Sequence, residues 1–172
     1  MTHIRPITDA DIDEVAALHV RAWRVGYAGI MPAEHLEGLD PARRAEAMRT
    51  RPPIPGSRTL VAVNESHISG FVRFGPYRRE EGGIDESTGE LYAIYVDPGD
   101  WGHGTGRDLL AAARQGLTEA GFPDMRLWVL TENHGARRFY EQMGLAPDGA
   151  TQTYTPPGAT AELPEMRYAV AL

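Results

Sequence analysis

Residues Glu90 to Leu110, ELYAIYVDPGDWGHGTGRDLL, constrain this chain more than any other stretch. An apolar run rich in strand formers ends at Asp97-Pro98. A glycine-rich turn follows, Gly102-His103-Gly104-Thr105-Gly106, and an amphipathic helix opens near Arg107. A strand that delivers bare backbone amides to a helix N-terminus makes an anion site. The first N–H groups of the helix have no intrahelical partner, and the helix dipole adds to them. Glycine suits such a turn because a side chain would hold a phosphate away. Two familiar phosphate loops do not fit. A P-loop needs Lys and then Ser or Thr after its last glycine, where this chain has Arg107-Asp108. The dinucleotide fingerprint needs a further Gly or Ala three residues after its second glycine, and Arg107 or Leu109 stands there. The glycines alone therefore indicate a phosphate-bearing ligand and nothing narrower.

Bulk properties narrow the partners. The 172 residues suffice for one domain with a real core, and no internal repeat or boundary divides them, so a single domain over 1–172 is expected. The formal net charge of −7 argues against a nucleic-acid backbone as partner. The basic pairs Arg43-Arg44 and Arg78-Arg79 read as solvated surface, the second cancelled by Glu80-Glu81. The absence of cysteine removes disulfides, thiolate metal sites and cysteine nucleophiles, and fits the cytoplasm. No apolar run reaches membrane-spanning length, the start lacks a signal-peptide core, and the six histidines show no ligand spacing. No metal, no membrane and no nucleic acid are expected.

Periodicity supplies the elements. Ile4 to Ile7 reads as a strand, and Thr8-x-x-Asp11 as a capping box before a helix whose face carries Ile12, Val15, Ala16, His19, Trp23 and Tyr27. Pro32 suits the first turn of a second helix, which restarts at Asp40-Pro41 and runs to about Thr50. Thr59 to Asn64 and His67 to Gly75 read as a hairpin, and polar Tyr77 to Gly89 as a mobile loop. The Glu90–Val96 strand and its helix follow, then a strand at Met125 to Leu130. A helix from His134 to Met143 has Asn133 as N-cap and Gly144 just past its end. Two final strands give the order β-α-α-β-β-β-α-β-α-β-β, a mixed α/β sheet.

These elements and two segments resemble the GNAT superfamily of N-acetyltransferases over nearly the whole chain. The first segment is the strand and loop ending Trp101-Gly-His-Gly-Thr-Gly106. Gly104 and Gly106 match the family's glycines, while Trp101 replaces its usual Gln or Arg. The second is Leu127-Trp-Val-Leu-Thr-Glu-Asn133 followed by His-Gly-Ala-Arg-Arg-Phe-Tyr140-Glu-Gln-Met-Gly144-Leu145, matching a strand, an Asn, and Ala-x-x-Phe-Tyr-x-x-x-Gly with Leu145 in place of Phe.

The resemblance implies a mostly antiparallel sheet of about seven strands with four helices, and acetyl-CoA held between splayed strands, here Glu90–Val96 and Met125–Leu130. Its amide-bearing arm would pair with the edge of Ile94, Tyr95 and Val96, as an added strand does. Its pyrophosphate would sit on the amides of Gly102, His103, Gly104, Thr105, Gly106 and Arg107. Arg107 either adds charge there or is a solvated first-turn residue. Asn133 would both cap its helix and bond the cofactor arm. The backbone N–H of Val96 would hold the oxyanion. Tyr140, protonated at neutral pH with an ordinary pKa near 10, would protonate the leaving thiolate, although its spacing with Ala136, Phe139 and Met143 also fits a core position. Glu90 is either the general base or a strand-end acid. A Glu common in protein N-terminal acetylators is Trp128 here, which argues against that substrate. Trp23 and Tyr27 either wall an acceptor pocket or form the buried stripe of the first helix. The expected activity is acetyl transfer to a primary amine of a small molecule or amino terminus. The other readings are a non-catalytic acyl-CoA-binding or regulatory protein on the same fold, and a transferase for another acyl group. A homodimer is compatible with the family.

Overall fold

The structure, a computed structural model, describes residues 2–172. Seven strands form one sheet in the order β1-β2-β3-β4-β5-β7-β6. They are β1 (Thr2–Pro6), β2 (Arg58–Asn64), β3 (His67–Arg78), β4 (Ile84–Val96), β5 (Asp124–Leu130), β6 (Ala146–Tyr154) and β7 (Leu163–Ala171). Every neighbouring pair is antiparallel except β4 with β5. The helices are α1 (Ile12–Gly26), α2 (Ala33–Glu37), α3 (Pro41–Thr50), α4 (Thr105–Glu119) and α5 (His134–Gln142).

The mixed architecture follows the expected order, with five helices where four were expected. Gly38 closes α2 after five residues, and Asp40 then caps α3 by accepting the Ala42 N–H at 2.9 Å. The capping box before α1 forms in a short turn. Asp11 accepts the Thr8 N–H at 2.8 Å and the Thr8 hydroxyl at 3.0 Å, and Arg5 pairs with the same carboxylate. The close of α5 also follows its residues. Gly144 takes a φ of 88°, which a side chain resists, and the Leu145 N–H then reaches the Tyr140 carbonyl at 3.0 Å.

Alternation along the strands sorts side chains into two layers. One face of β3 and β4 carries Phe71, Ala93 and Tyr95 toward Val15 and Leu18 of α1 and Met48 of α3. The other carries Val72, Phe74, Leu91, Ile94 and Val96 toward Leu109, Leu110, Ala113 and Leu117 of α4. Gly116 lets α4 come close, since a Cβ there would stand 2.7 Å from the Phe74 ring.

The Tyr77–Gly89 segment corrects the sequence expectation of a loop. Both strands of the hairpin run on through it, Tyr77 opposite Asp85 and Arg78 opposite Ile84, leaving Arg79 to Gly83 as the turn. Glu80 to Gly83, Glu86 and Ser87 are exposed, so this end of the hairpin satisfies its backbone without an apolar stripe to announce it.

The feature that positions the site is a split in the sheet. Strand β4 meets β5 only at Gly89 with Met125 and Glu90 with Arg126. Beyond that, β5 stays with β7 as far as Leu130 opposite Glu165, while β4 stays with β3 as far as Val96 opposite Gly70. The cause is local. The β3–β4 register shifts between Arg73–Ala93 and Phe74–Leu91, which leaves Tyr92 as an extra residue two positions after the last β4–β5 pair. Such a bulge bends its strand and increases its twist, here away from β5.

Candidate active site

The split exposes a defined set of backbone groups. The Asp97 N–H bonds the Ser69 carbonyl at 2.8 Å. Bonding alternates along an antiparallel ladder, so Tyr95 bonds β3 next, and Ile94 and Val96 turn their N–H and C=O groups toward the gap. One of these four groups is occupied: the Trp101 indole donates to the Val96 carbonyl at 2.9 Å. The Val96 N–H still faces the gap.

At the mouth of the gap the glycine turn leads into α4. Gly102 and Gly104 have φ of 81° and 85°, and Gly104 is the N-cap. The first intrahelical bond runs from the Asp108 N–H to the Gly104 carbonyl at 3.0 Å, which leaves the amides of Thr105, Gly106 and Arg107 without helix acceptors. A Cβ on Gly106 would touch the Phe139 ring at 3.4 Å. The cavity continuous with this cradle has a volume of about 1440 Å³.

Of the residues singled out from sequence, the structure brings Trp23, Tyr27, Glu90, Ile94, Tyr95, Val96, Gly102, Gly104, Thr105, Gly106, Arg107, Asn133 and Tyr140 to the wall of this one cavity. His103 is the exception. Its ring turns back to the Asp100 carbonyl at 3.3 Å, and its side chain is exposed outside the wall. Thr105 is buried, so it offers its amide more readily than its hydroxyl. Arg107 is exposed at the rim. Asn133 caps α5, accepting the Ala136 N–H at 3.2 Å, so its side-chain amide N–H groups are the part left for a ligand.

Tyr140 is buried and lies in the α4 layer of the core as well as on the cavity wall, so a core position does not remove it from the cavity. Burial pushes its hydroxyl pKa well above the ordinary tyrosine value, with a smaller contribution from Tyr95. It is a proton donor at every physiological pH.

Glu90 is wholly buried and fully engaged. Its Oε1 accepts the Arg78 N–H at 2.8 Å and its Oε2 meets the Arg78 guanidinium at 2.7 Å. Arg78 is thus neutralised by a carboxylate twelve residues on and not by Glu80-Glu81. The pair ties the end of β3 to β4 beside the point where β4 and β5 part.

The other half of the cavity lies on the α1 face. Tyr27 and Tyr95 share a hydrogen bond at 3.1 Å between their hydroxyls, Trp23 meets Tyr27 edge-on at 5.1 Å, and His19 stacks on Tyr95 at 4.8 Å. Burial, with help from the Arg44 charge, lowers the His19 pKa to about 3, so this imidazole is neutral. Met31, Leu36 and Leu130 pack with Tyr154 and Leu163, closing this half with the ends of β6 and β7.

Two kinds of cavity residue were invisible in the sequence. Glu165 on β7 lines the wall, and its carboxyl is raised by burial although Gln152 donates to it at 2.7 Å. Nothing around it in the chain marks it. Arg44, expected at the surface with Arg43, is half-buried on the wall while Arg43 stays exposed. Adjacent helix positions differ by about 100° in direction, so one of such a pair can turn inward.

Comparison with known proteins agrees with this geometry. The profile of the Acetyltransferase (GNAT) family matches residues 17–145. An uncharacterized N-acetyltransferase of Bacillus subtilis, YuaI, is 36% identical over 134 residues, covering 77% of this chain and 74% of its own. The probable N-acetyltransferase Rv2775 of Mycobacterium tuberculosis is 30% identical over 155 residues, covering 89% and 84%. Among solved structures, yncA of Salmonella typhimurium with acetyl-CoA superposes with a TM-score of 0.73 at 21% identity, over 100% of this chain and 94% of that one. This chain therefore belongs to the GNAT family of acetyltransferases.

Proposed function

We propose that this chain acetylates a primary amine, using acetyl-CoA held in the split between β4 and β5. The observation that carries the reading is the conjunction, at one gap, of an unpaired β4 edge, three acceptor-free helix amides and the hydroxyl of the buried Tyr140. The residues fit the cofactor. The Ile94 and Val96 edge matches an amide-bearing arm, and the bare amides of Thr105, Gly106 and Arg107 match a pyrophosphate.

Acetyl-CoA would supply an activated carbonyl: the amine nitrogen forms the new bond to carbon as the carbon–sulfur bond breaks. The chain's own groups do the rest. The Val96 N–H, turned into the gap and fixed by the strand, stabilises the developing oxyanion. The Tyr140 hydroxyl gives its proton to the departing sulfur. Asn133 positions the arm from the α5 cap. Glu90 acts as a strut, because Arg78 holds both its oxygens. A carboxylate placed to take the amine proton is Glu165, on the acceptor side, its pKa raised above the ordinary value by burial. Trp23 and Tyr27 wall the acceptor.

The test is thiol release from acetyl-CoA across a panel of amines, in the wild type and Tyr140→Phe. Loss of a proton donor lowers kcat by about 10²–10⁴-fold while acetyl-CoA affinity persists. Full activity in Tyr140→Phe removes that residue from the mechanism. Acetyl-CoA binding without turnover on any acceptor favours a binding protein.

A further inference from the structure

The chain carries a net charge of −7, yet one wall of its cavity is strongly positive. Arg44 from α3, Arg51 just after it, and Arg73 and Arg78 from β3 all line that wall. Arg78 is satisfied by Glu90. Among the described residues no carboxylate stands within ion-pairing distance of Arg44, Arg51 or Arg73. The Nε of Arg44 is buried with no hydrogen-bond partner. Proteins rarely bury a guanidinium donor and leave it unpaired, because the lost hydration goes uncompensated. The three charges also act on one another. Burial first, then Arg51 and Arg73, lowers the Arg44 pKa, and burial first, then Arg78 and Arg51, lowers that of Arg73.

This wall is distinct from the cofactor's phosphate cradle. Arg73 faces the layer of Phe71 and Tyr95 with α1 and α3, whereas the glycine turn opens α4 on the opposite face of the sheet. The wall is also built. The Tyr92 ring, set by the bulge, carries the Arg73 guanidinium on its face at 5.8 Å and that of Arg78 at 4.7 Å. Across the cavity stands Glu165, held by Gln152.

We infer that the acceptor is an amine that itself carries an anionic oxygen group, a carboxylate or a phosphonate, with the anion seated on Arg44, Arg51 and Arg73 and the amine directed toward Glu165 and the gap. This rests on the acetyltransferase reading and narrows it to amino-acid-like substrates. Guanidinium groups suit such anions because their planar donors match carboxylate and phosphonate oxygens in pairs. An acceptor so anchored leaves only its amine free to reach the thioester, which is orientation supplied by a remote group.

The experiment compares matched acceptors in the thiol-release assay: the common α-amino acids, their amides, the corresponding decarboxylated amines, and aminoalkylphosphonates. Binding of each to the CoA-saturated protein is read by calorimetry. Anionic acceptors are expected to exceed their amides and decarboxylated partners by tenfold or more in kcat/KM, and carboxylates against phosphonates identify the anion. Arg73→Gln and Arg44→Gln should each lower kcat/KM for anionic acceptors by tenfold or more and shrink the preference over amides, with acetyl-CoA affinity kept. Arg51→Gln, at an exposed position, tests the same wall without disturbing the core. Equal use of amides and decarboxylated amines, preference for polyamines or neutral peptide amino termini, or unchanged selectivity in all three variants overturns the inference. Acetyl-CoA binding with neither turnover nor binding of any anionic acceptor also overturns it. Failure to bind acetyl-CoA at all overturns the acetyltransferase reading instead.

Discussion

Replacing Glu90 with glutamine separates a strut from a base. The carboxylate accepts from the Arg78 backbone N–H at 2.8 Å, Nε at 3.3 Å and Nη2 at 2.7 Å, and is itself wholly buried. Glutamine keeps Oε1 for the backbone N–H but sets an amide NH₂ against the guanidinium, donor facing donor. Breaking a buried ion pair by removing one partner costs about 3–5 kcal/mol. Two features reduce that here. The Arg78 side chain is 48% exposed, so water solvates the released guanidinium, and the bonds to Oε1 survive. A loss of about 2 kcal/mol is expected, by reference to charged hydrogen bonds of about 1.5–3 kcal/mol. For a chain of this length that lowers Tm by about 4–8 °C. Thermal unfolding followed by circular dichroism reads the first quantity, and thiol release at 25 °C, well below the transition, reads the second. The strut assignment requires a lowered Tm with kcat kept within a few-fold. A Tm within about 1 °C of wild type together with a kcat reduced about 100-fold, the size of a lost general base, refutes it.

Two further outcomes concern stability. His19 has its pKa lowered to about 3 in the fold, by burial first and the Arg44 charge second, against about 6.5 when unfolded. Its contribution is therefore whole above pH 6.5 and is lost as pH falls, because only the unfolded chain takes up the proton, at about 1.4 kcal/mol per pH unit. Urea midpoints between pH 7 and pH 5 should fall less steeply in His19→Leu than in wild type, and equal slopes contradict the assignment. Gly116→Ala would place a Cβ 2.7 Å from the Phe74 Cζ, in a ring that is itself buried. Overpacking of about 1–3 kcal/mol outweighs the helix-propensity gain of up to about 1 kcal/mol, so the variant is less stable by about 1 kcal/mol in urea unfolding, and a more stable variant shows that the packing is looser.

The parts of the molecule legible in the sequence are those governed by local rules. The strand into Asp97, the glycine turn, the Asn133 cap and the Gly144 stop depend on residues within a few positions of each other, and each forms as its residues dictate. What stayed hidden depends on distant partners. The bulge at Tyr92 exists only as a register shift between two strands, and no residue in Leu91-Tyr92-Ala93 announces it. Glu90 and Arg78 are twelve residues apart, so their pairing awaits the hairpin that the polar Tyr77–Gly89 segment disguised as loop. Arg44 and Glu165 come from opposite ends of the chain, and their common cavity is a product of the sheet order.

The short contact between β4 and β5 makes the sheet resemble a book with a narrow spine. One leaf is β1 to β4 and the other β5 to β7, joined in register at only Gly89–Met125 and Glu90–Arg126. Anything that lies along the open margin of β4 while resting on α5 becomes a binding thread between the leaves. Free ligand then adds to the folded state by mass action, as RT ln(1 + [L]/Kd). The folded fraction of such a protein is set in part by how much acetyl-CoA surrounds it, so the abundance of the enzyme can follow the supply of the acyl donor it consumes.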